Sequence, residues 1–302
     1  MISVVLCTHN PRRDYLDRTL DSLEAQSLNH AQWELILVDN ASSERLEKVI
    51  DLSWHRRARV VRENELGLTP ARLRGIRESS GEVLVFVDDD NVLASDYLSR
   101  VMEVTSSHPF LGSWSGSVEG EFESPPPEWT RRYWGNLVIR EAPRDAWSNI
   151  YWHDQTTPLG AGLCVRRSVA MEYLRLHDDG IRKFRMDRAG QNLISGGDND
   201  LSACAIDLGL ASGVISSLHV RHLIPAERLT EEYLIRLVEG VAYSSVILHS
   251  FRPETRNGIK TKGIAGKAAD VLRIARMSPR ERRFHNAVLR GEARARKELR
   301  EV

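Results

Sequence analysis

Within two residues the chain turns from oil to acid: Val83-Leu84-Val85-Phe86-Val87 runs straight into Asp88-Asp89-Asp90. Five consecutive apolar residues rich in Val and Phe, with no polar alternation, read as a strand buried on both faces, the kind found in parallel sheets covered by helices. Carboxylates about 4 Å apart repel by roughly 1 kcal/mol in water and by more once solvent is excluded. A triplet at the strand's end therefore calls for a cation, and hard divalent ions such as Mg²⁺ use one or two carboxylates with substrate phosphates completing the shell. Open α/β sheets place ligands at strand carboxyl ends. A solvated acidic loop is the plainer alternative.

Around this strand, apolar runs alternate with helical patterns, which predicts βαβ units and a parallel sheet. Ser3–Cys7 is a first strand, ending in Thr8-His9-Asn10-Pro11, where Asn10 is placed to cap and Pro11 to start a helix carrying Leu16, Leu20 and Leu23. Leu35–Val38 is a second strand, ending in Asp39-Asn40-Ala41-Ser42-Ser43 before a helix with Leu46, Val49 and Ile50. A third, near Ala58–Val61, leads to a Thr69-Pro70 helix start and to Arg72, Arg74 and Arg77; a helix capped by Ser95 follows the acidic triplet. Right-handed crossovers would bring Thr8, Asn10, Asp39, Asn40 and Asp88 to Asp90 to one sheet edge. Each polar loop alone is an ordinary cap or turn; three on one edge predict a binding site.

Beyond about residue 105 the pattern loosens. Trp114, Trp129, Trp134, Trp147 and Trp152 cluster around Pro125-Pro126-Pro127. Packing is the ordinary role of such residues, but flat apolar faces also suit a sugar ring, so the segment is the candidate acceptor wall. Gly160–Val165 reads as a strand with close backbone approach at its start. Gly196-Gly197-Asp198-Asn199-Asp200 opens a helix. Acids there commonly complement the helix dipole, yet two glycines allow a ligand near, and a carboxylate so placed can act as general base. Asp198 and Asp200 are the candidates. His222, before Ile224-Pro225, is a metal-ligand candidate because the acidic site needs completing.

Composition sets bounds without naming a function. The 302 residues, 41% hydrophobic, suffice for a substantial core and carry no net charge, yet residues 251–302 hold 15 Lys/Arg against 6 Asp/Glu. A basic tail suggests an anionic partner, membrane surface or nucleic acid, although a solvated helix face explains it equally well; an anionic membrane or lipid-linked acceptor is the partner expected, and nucleic acid is not, with Arg273, Arg276, Arg280, Arg282 and Arg283 crowding one helical stretch. Cys7, Cys164 and Cys204 are odd in number and sit in apolar runs, which predicts free buried thiols and a cytoplasmic location. No secretory leader is expected, nor any stretch near the roughly 18 apolar residues that span a bilayer, so membrane contact would be peripheral. Helical pattern continues to the end, broken at Pro253 and Pro279.

In this order, Val4-Val5-Leu6-Cys7-Thr8-His9-Asn10, Leu37-Val38-Asp39-Asn40-Ala41-Ser42, Asn64–Gly75, Asp88-Asp89-Asp90, Gly196–Leu201 and His222–Thr230 resemble family-2 inverting glycosyltransferases with the GT-A nucleotide-sugar fold. That resemblance implies a mixed, mostly parallel, Rossmann-like sheet flanked by helices, with a helical C-terminal extension. It implies a nucleoside-diphosphate sugar as donor, a saccharide, lipid-linked or other hydroxyl acceptor, and Mn²⁺ or Mg²⁺ as cofactor. By position, Thr8, Asn10 and Asp39 would hold base and ribose; Arg72 would face the nucleotide, although Leu73 stands where the family has Asn. Asp88 and Asp89 would touch ribose and sugar, Asp90 and His222 the metal and phosphate. Asp198 would be the base, with Gly197 replacing the family's preceding Glu. Arg228 suits phosphate by its own chemistry. The implied division is 1–104 for the donor, 105–235 for acceptor and catalysis, and 236–302 as the basic extension.

Two other classes compete. A haloacid-dehalogenase-like phosphatase would use Asp88-Asp89-Asp90-Asn91-Val92 as nucleophile motif, with Lys183 and Gly197-Asp198-Asn199-Asp200 as later elements, but leaves Thr8 and Asp39 unexplained. A non-catalytic nucleotide-sugar-binding protein would make Asp198 dispensable. An EF-hand is excluded, because the required Gly and terminal Glu are missing after Asp88.

Overall fold

The structure, a computed structural model, describes residues 1–184, 186–188, 193–252, 274 and 276–301. Among the described residues nine strands form one sheet: β1 (Ile2–Thr8), β2 (Trp33–Asn40), β3 (Ala58–Glu63), β4 (Val83–Asp88), β5 (Asn91–Leu93), β6 (Leu111–Phe122), β7 (Ala146–Ser148), β8 (Leu163–Arg166) and β9 (Ala211–Ile224). The spatial order is β3-β2-β1-β4-β8-β6-β9-β5, with β7 also on β9. The first four strands are mutually parallel, and β8 runs antiparallel between β4 and β6. This is the mixed α/β architecture expected. Strands from residues 1–104 and from 105–235 belong to the same sheet.

Alternation along the buried strands explains their unbroken apolar sequence. Val83, Val85 and Val87 of β4 join Ile2, Val4 and Leu6 on one face, under α1 (Arg13–Glu24) and α3 (Tyr97–Ser107). Leu84 and Phe86 join Val5 and Cys7 on the other, under α2 (Leu68–Glu78), α4 (Arg167–Asp178) and α5 (Gly197–Asp207). Each fully buried Val or Leu contributes about 1.5–3 kcal/mol, so this central strand cannot slip register without moving one set of side chains onto the wrong layer.

Several local expectations are corrected. Asn10 does not cap α1: it takes a left-handed φ of 46°, its Oδ1 accepts from the Ser43 backbone (2.8 Å), and the helix begins at Arg13. The helix expected through Leu46, Val49 and Ile50 is a single 3-10 turn, Leu46–Lys48. Thr69 lies inside α2 and its hydroxyl donates to Asp187 (2.9 Å) instead of capping, and Asp96, not Ser95, precedes α3.

The C-terminal part contains two long helices, α6 (Glu231–Phe251) and α7 (Pro279–Glu301), packed side by side and running in the same direction, Glu231 beside Arg280 and Tyr243 beside Glu298. Pro279 starts α7 rather than breaking a helix, behind a reciprocal capping box in which Glu281 accepts from the Ser278 N–H (2.9 Å). Leu234, Leu237 and Val238 pack with Phe284, and Tyr243 and Ile247 with Ala295. Contrary to expectation, α6 is long and apolar enough to cross a membrane by length and composition, its best window averaging a hydropathy of 1.2; half of that window is buried within the fold. The arginines expected to crowd a free surface are partly engaged: Arg280 and Arg283 pair with Glu231, and Arg290 with Glu239. Arg273 and the break at Pro253 lie outside the described residues. All three cysteines are buried and free.

Candidate active site

Two cavities meet at the carboxyl edge of the sheet. The first, about 280 Å³, is lined by the ends of β1 and β4, by α2, and by Asp187, Asp198, His222 and Arg228. The second, about 360 Å³, lies between the α6 side and the loops around Val138 and Thr157. Asp198, Val138, Arg188 and Ser195 line both.

At the end of β4 the triplet divides. Asp89 accepts from the Thr8 hydroxyl, joining the ends of β1 and β4. Asp90 is 6% exposed; its Oδ1 accepts from Asn91 (3.0 Å), and its Oδ2 faces Arg228 Nη1 (3.0 Å) and His222 Nε2 (3.3 Å). Burial raises Asp88 and Asp89 above the usual carboxylate range, and the charge of Asp90 adds to both. Burial would raise Asp90 as well, but the imidazole and guanidinium beside it hold it below that range.

His222 is delivered by antiparallel pairing of β5 with β9, which sets it opposite Asn91. Its Nδ1 lies 2.9 Å from the Leu137 carbonyl, which only accepts, so Nδ1 carries the hydrogen. Nε2 then faces Asp90 Oδ2, with Arg228 Nη1 3.1 Å away on the same oxygen. The Leu137 carbonyl is turned inward ahead of Val138, which adopts φ 62° at the end of the 3-10 segment Glu128–Leu137. A β-branched residue there is strained, and such strain collects at ligand sites. An imidazole nitrogen and a carboxylate oxygen this close, with the ring fixed by a carbonyl behind it, are ligand types that would fit Mn²⁺ or Mg²⁺. Among the described residues no cluster of three or more His, Cys, Asp or Glu side chains supplies a fuller set.

Asp198 stands in the first turn of α5, half-buried. The helix start is held by Asp187, whose Oδ1 accepts from the Gly197 N–H (3.1 Å) while its carboxylate takes Arg72 (3.1 Å) and the Thr69 hydroxyl. A Cβ on Gly197 would lie 2.1 Å from Asp187, and one on Gly160 would lie 2.4 Å from Asp198 Oδ2, so both glycines are required by close approach. Burial raises the Asp198 carboxyl above its ordinary value; Arg72 opposes the rise and Asp187 adds to it. Asp200, the alternative base, is excluded by its surroundings. It is 1% exposed, clamped between Arg182 (2.8 Å) and Arg252 (2.7 Å).

The structure thus gathers Thr8, Arg72, Asp88, Asp89, Asp90, Asp198, His222 and Arg228 around one cavity and leaves two candidates off its wall. Asp39, 1% exposed, is filled by the Ser42 and Leu46 amides and by Arg62 (2.6 Å), while Asn40 lines the cavity in its place. Asn10 is tied to Ser42 and Ser43 on the exposed side. The tryptophan wall also shrinks. Trp114 is fully buried in the core, Trp129 lies under Arg280, Trp134 packs on Phe122 and Trp147 meets Phe110; of the five, Trp152 is the one that lines either of these two cavities. Asp187 and Arg188 went unread because their segment has no periodicity.

A model of the family described as "Glycosyl transferase family 2" matches residues 3–164. An uncharacterized glycosyltransferase of Haemophilus influenzae is 31% identical over 110 residues, 36% of each chain. The dolichol-phosphate mannosyltransferase of Pyrococcus furiosus is 29% identical over 121 residues, 39% of this chain and 34% of that one. The matches thus span about a third of the length of these relatives. Among solved structures, S. aureus TarS 1-349 in complex with UDP-GlcNAc superposes with a TM-score of 0.51 at 16% identity, over 95% of this chain and 79% of that one, and S. aureus TarS 1-349 without that ligand gives the same score over 95% and 80%. The likeness to TarS is one of fold, and it is the GT-A fold. A match over more than half the chain, from the first strand through β8, sets the phosphatase reading aside: the chain belongs to glycosyl transferase family 2.

Proposed function

We propose that this chain transfers a sugar from a nucleoside-diphosphate sugar in the first cavity to an acceptor hydroxyl in the second, with inversion at the anomeric carbon. The observation that carries this reading is the position of Asp198, whose carboxylate borders both cavities. In a single displacement the acceptor oxygen gives its proton to Asp198 and bonds the anomeric carbon as the bond to the diphosphate oxygen breaks. Arg228 and Arg188, which line the donor cavity, face the charge growing on the departing diphosphate. Asp90 and His222 would hold Mn²⁺ or Mg²⁺, which supplies Lewis-acid stabilisation of the same charge. Thr8, Asn40 and Arg72 remain on the nucleotide side. UDP-sugars are the first donors to try, since TarS is solved in complex with UDP and UDP-GlcNAc.

A cytoplasmic location belongs to the same proposal, supported by three buried, unpaired thiols. Contact of α7 with an anionic membrane would fall to residues other than Arg280, Arg283 and Arg290; absence of salt-sensitive vesicle binding removes it.

The test combines donor binding with turnover. Thermal shift with Mn²⁺ across a panel of nucleotide sugars is expected to raise the melting temperature for one donor class. Asp198→Asn is expected to keep that shift and to lose transfer by about 10²–10⁴-fold. A base must be ionised, so wild-type kcat/KM should rise with pH through an apparent pKa above the ordinary carboxylate value and then level. Near-normal turnover by Asp198→Asn would move the base elsewhere, and a wild type that binds a donor yet turns over none would favour a non-catalytic nucleotide-sugar-binding protein.

A further inference from the structure

The second cavity contains a cation without a counter-ion. Arg140 is pinned to β6 by a backbone pair with Val118 (2.8 and 3.0 Å), and its side chain lines the cavity. Nη1 donates to the Thr157 carbonyl (2.8 Å), while Nε and Nη2 are buried with no hydrogen-bond partner. Among the described residues no carboxylate forms an ion pair with it; Asp154 and Asp198 line the same cavity without reaching it. Burial pushes its guanidinium pKa down, with no opposing charge to hold it up. Elsewhere in this fold buried arginines are matched: Arg72 by Asp187, and Arg182 and Arg252 by Asp200.

A buried, unmatched guanidinium is destabilising unless a partner arrives, and its fork of N–H groups suits the two oxygens of a phosphate or carboxylate. Arg140 and Asp198 both line the second cavity, so an oxyanion bound there would be met by a turn of the guanidinium that brings Nε and Nη2, closed to solvent as they stand, toward it. We propose that the acceptor carries an oxyanion, phosphate or carboxylate, close to the hydroxyl that receives the sugar, and that Arg140 pairs with it. This rests on the second cavity being the acceptor site. It names a class of acceptor: polyol phosphates, sugar phosphates or uronic-acid-bearing glycans rather than neutral saccharides. Arg140 then fixes which hydroxyl faces the base, because the anion anchors the acceptor at a second point.

Calorimetry on the full chain, with UDP and Mn²⁺ present, tests this with matched probes: glycerol 3-phosphate against glycerol, and methyl glucuronide against methyl glucoside. The anionic member of at least one pair is expected to bind about 10- to 100-fold more tightly. Arg140→Met should erase that margin and leave UDP binding unchanged, and Arg140→Lys should restore part of it. Preference for the phosphate or the carboxylate probe identifies the source of the anion. Equal binding of charged and neutral probes, or an anionic preference that survives in Arg140→Met, overturns the proposal. A wild type that binds no UDP while its anionic preference holds and is erased by Arg140→Met would count against the donor reading and leave this proposal standing.

Discussion

Removing the carboxylate of Asp187 should expose how the donor side and the catalytic helix are joined. Arg72 is 3% exposed and Asp187 7%, and the two are in contact at 3.1 Å. Asp187→Ala leaves a guanidinium buried and also strips partners from the Thr69 hydroxyl and the Gly197 N–H. Breaking one side of a buried pair costs about 3–5 kcal/mol, most of it the stranded charge. Urea denaturation should therefore show Asp187→Ala destabilised by that amount. The double variant Arg72→Met/Asp187→Ala should be more stable than Asp187→Ala alone, since the charge leaves with its partner. Because Asp187 also holds the first turn of α5, turnover should fall at least tenfold further than donor affinity. A loss under about 1 kcal/mol for Asp187→Ala, or a double variant no more stable than the single, would refute the reasoning.

Metal dependence should trace to two side chains: Asp90→Ala and His222→Ala are each expected to cut the Mn²⁺-dependent part of nucleotide-sugar affinity by about 10- to 100-fold, and EDTA should do the same to the wild type. Calorimetry in which Asp90→Ala keeps full Mn²⁺ enhancement would move the metal elsewhere. Acid stability should depend on Glu34. Burial favours its neutral form, yet hydrogen bonds from Ser3, Ser80 and Arg59 hold its carboxyl down to about 2. A folded-state pKa below the unfolded value contributes stability above the unfolded pKa and loses it as pH falls through the folded one. Glu34→Gln should thus cost up to about 3 kcal/mol near neutral pH. That gap should close between about pH 4.5 and 2; a gap independent of pH would reassign the contribution to packing.

The donor edge was legible because burial on both faces leaves a signature that survives in one dimension. Val83–Val87 had to be a central strand, and the acids after it had to emerge at its end. Helix starts were harder: Asn10-Pro11 and Thr69-Pro70 carry capping chemistry, but their polar groups are taken by distant partners, Ser43 and Asp187. Asp39 looked like a ligand because it ends a strand, and only the neighbouring strand shows Arg62 reaching it. Asp187 and Arg140 left no trace, since their importance lies in what surrounds them. Tryptophan density was misleading for the same reason. Large rings fill whatever gap the fold presents, and here most of those gaps were far from the sugar.

The clamp around Asp200 bears on how such chains can be cut and recombined. Arg252, at the exit of α6, shares that carboxylate with Arg182 and also reaches Asp207 (2.6 Å), both acids belonging to the helix that carries Asp198. The C-terminal helix pair is therefore not an interchangeable tail. A chimera joined near residue 235, with a relative's C-terminal helices grafted onto residues 1–235, would lose Arg252 and leave Asp207 without its arginine two turns along from Asp198. Such a graft should succeed only when the incoming helices bring an arginine to the place of Arg252.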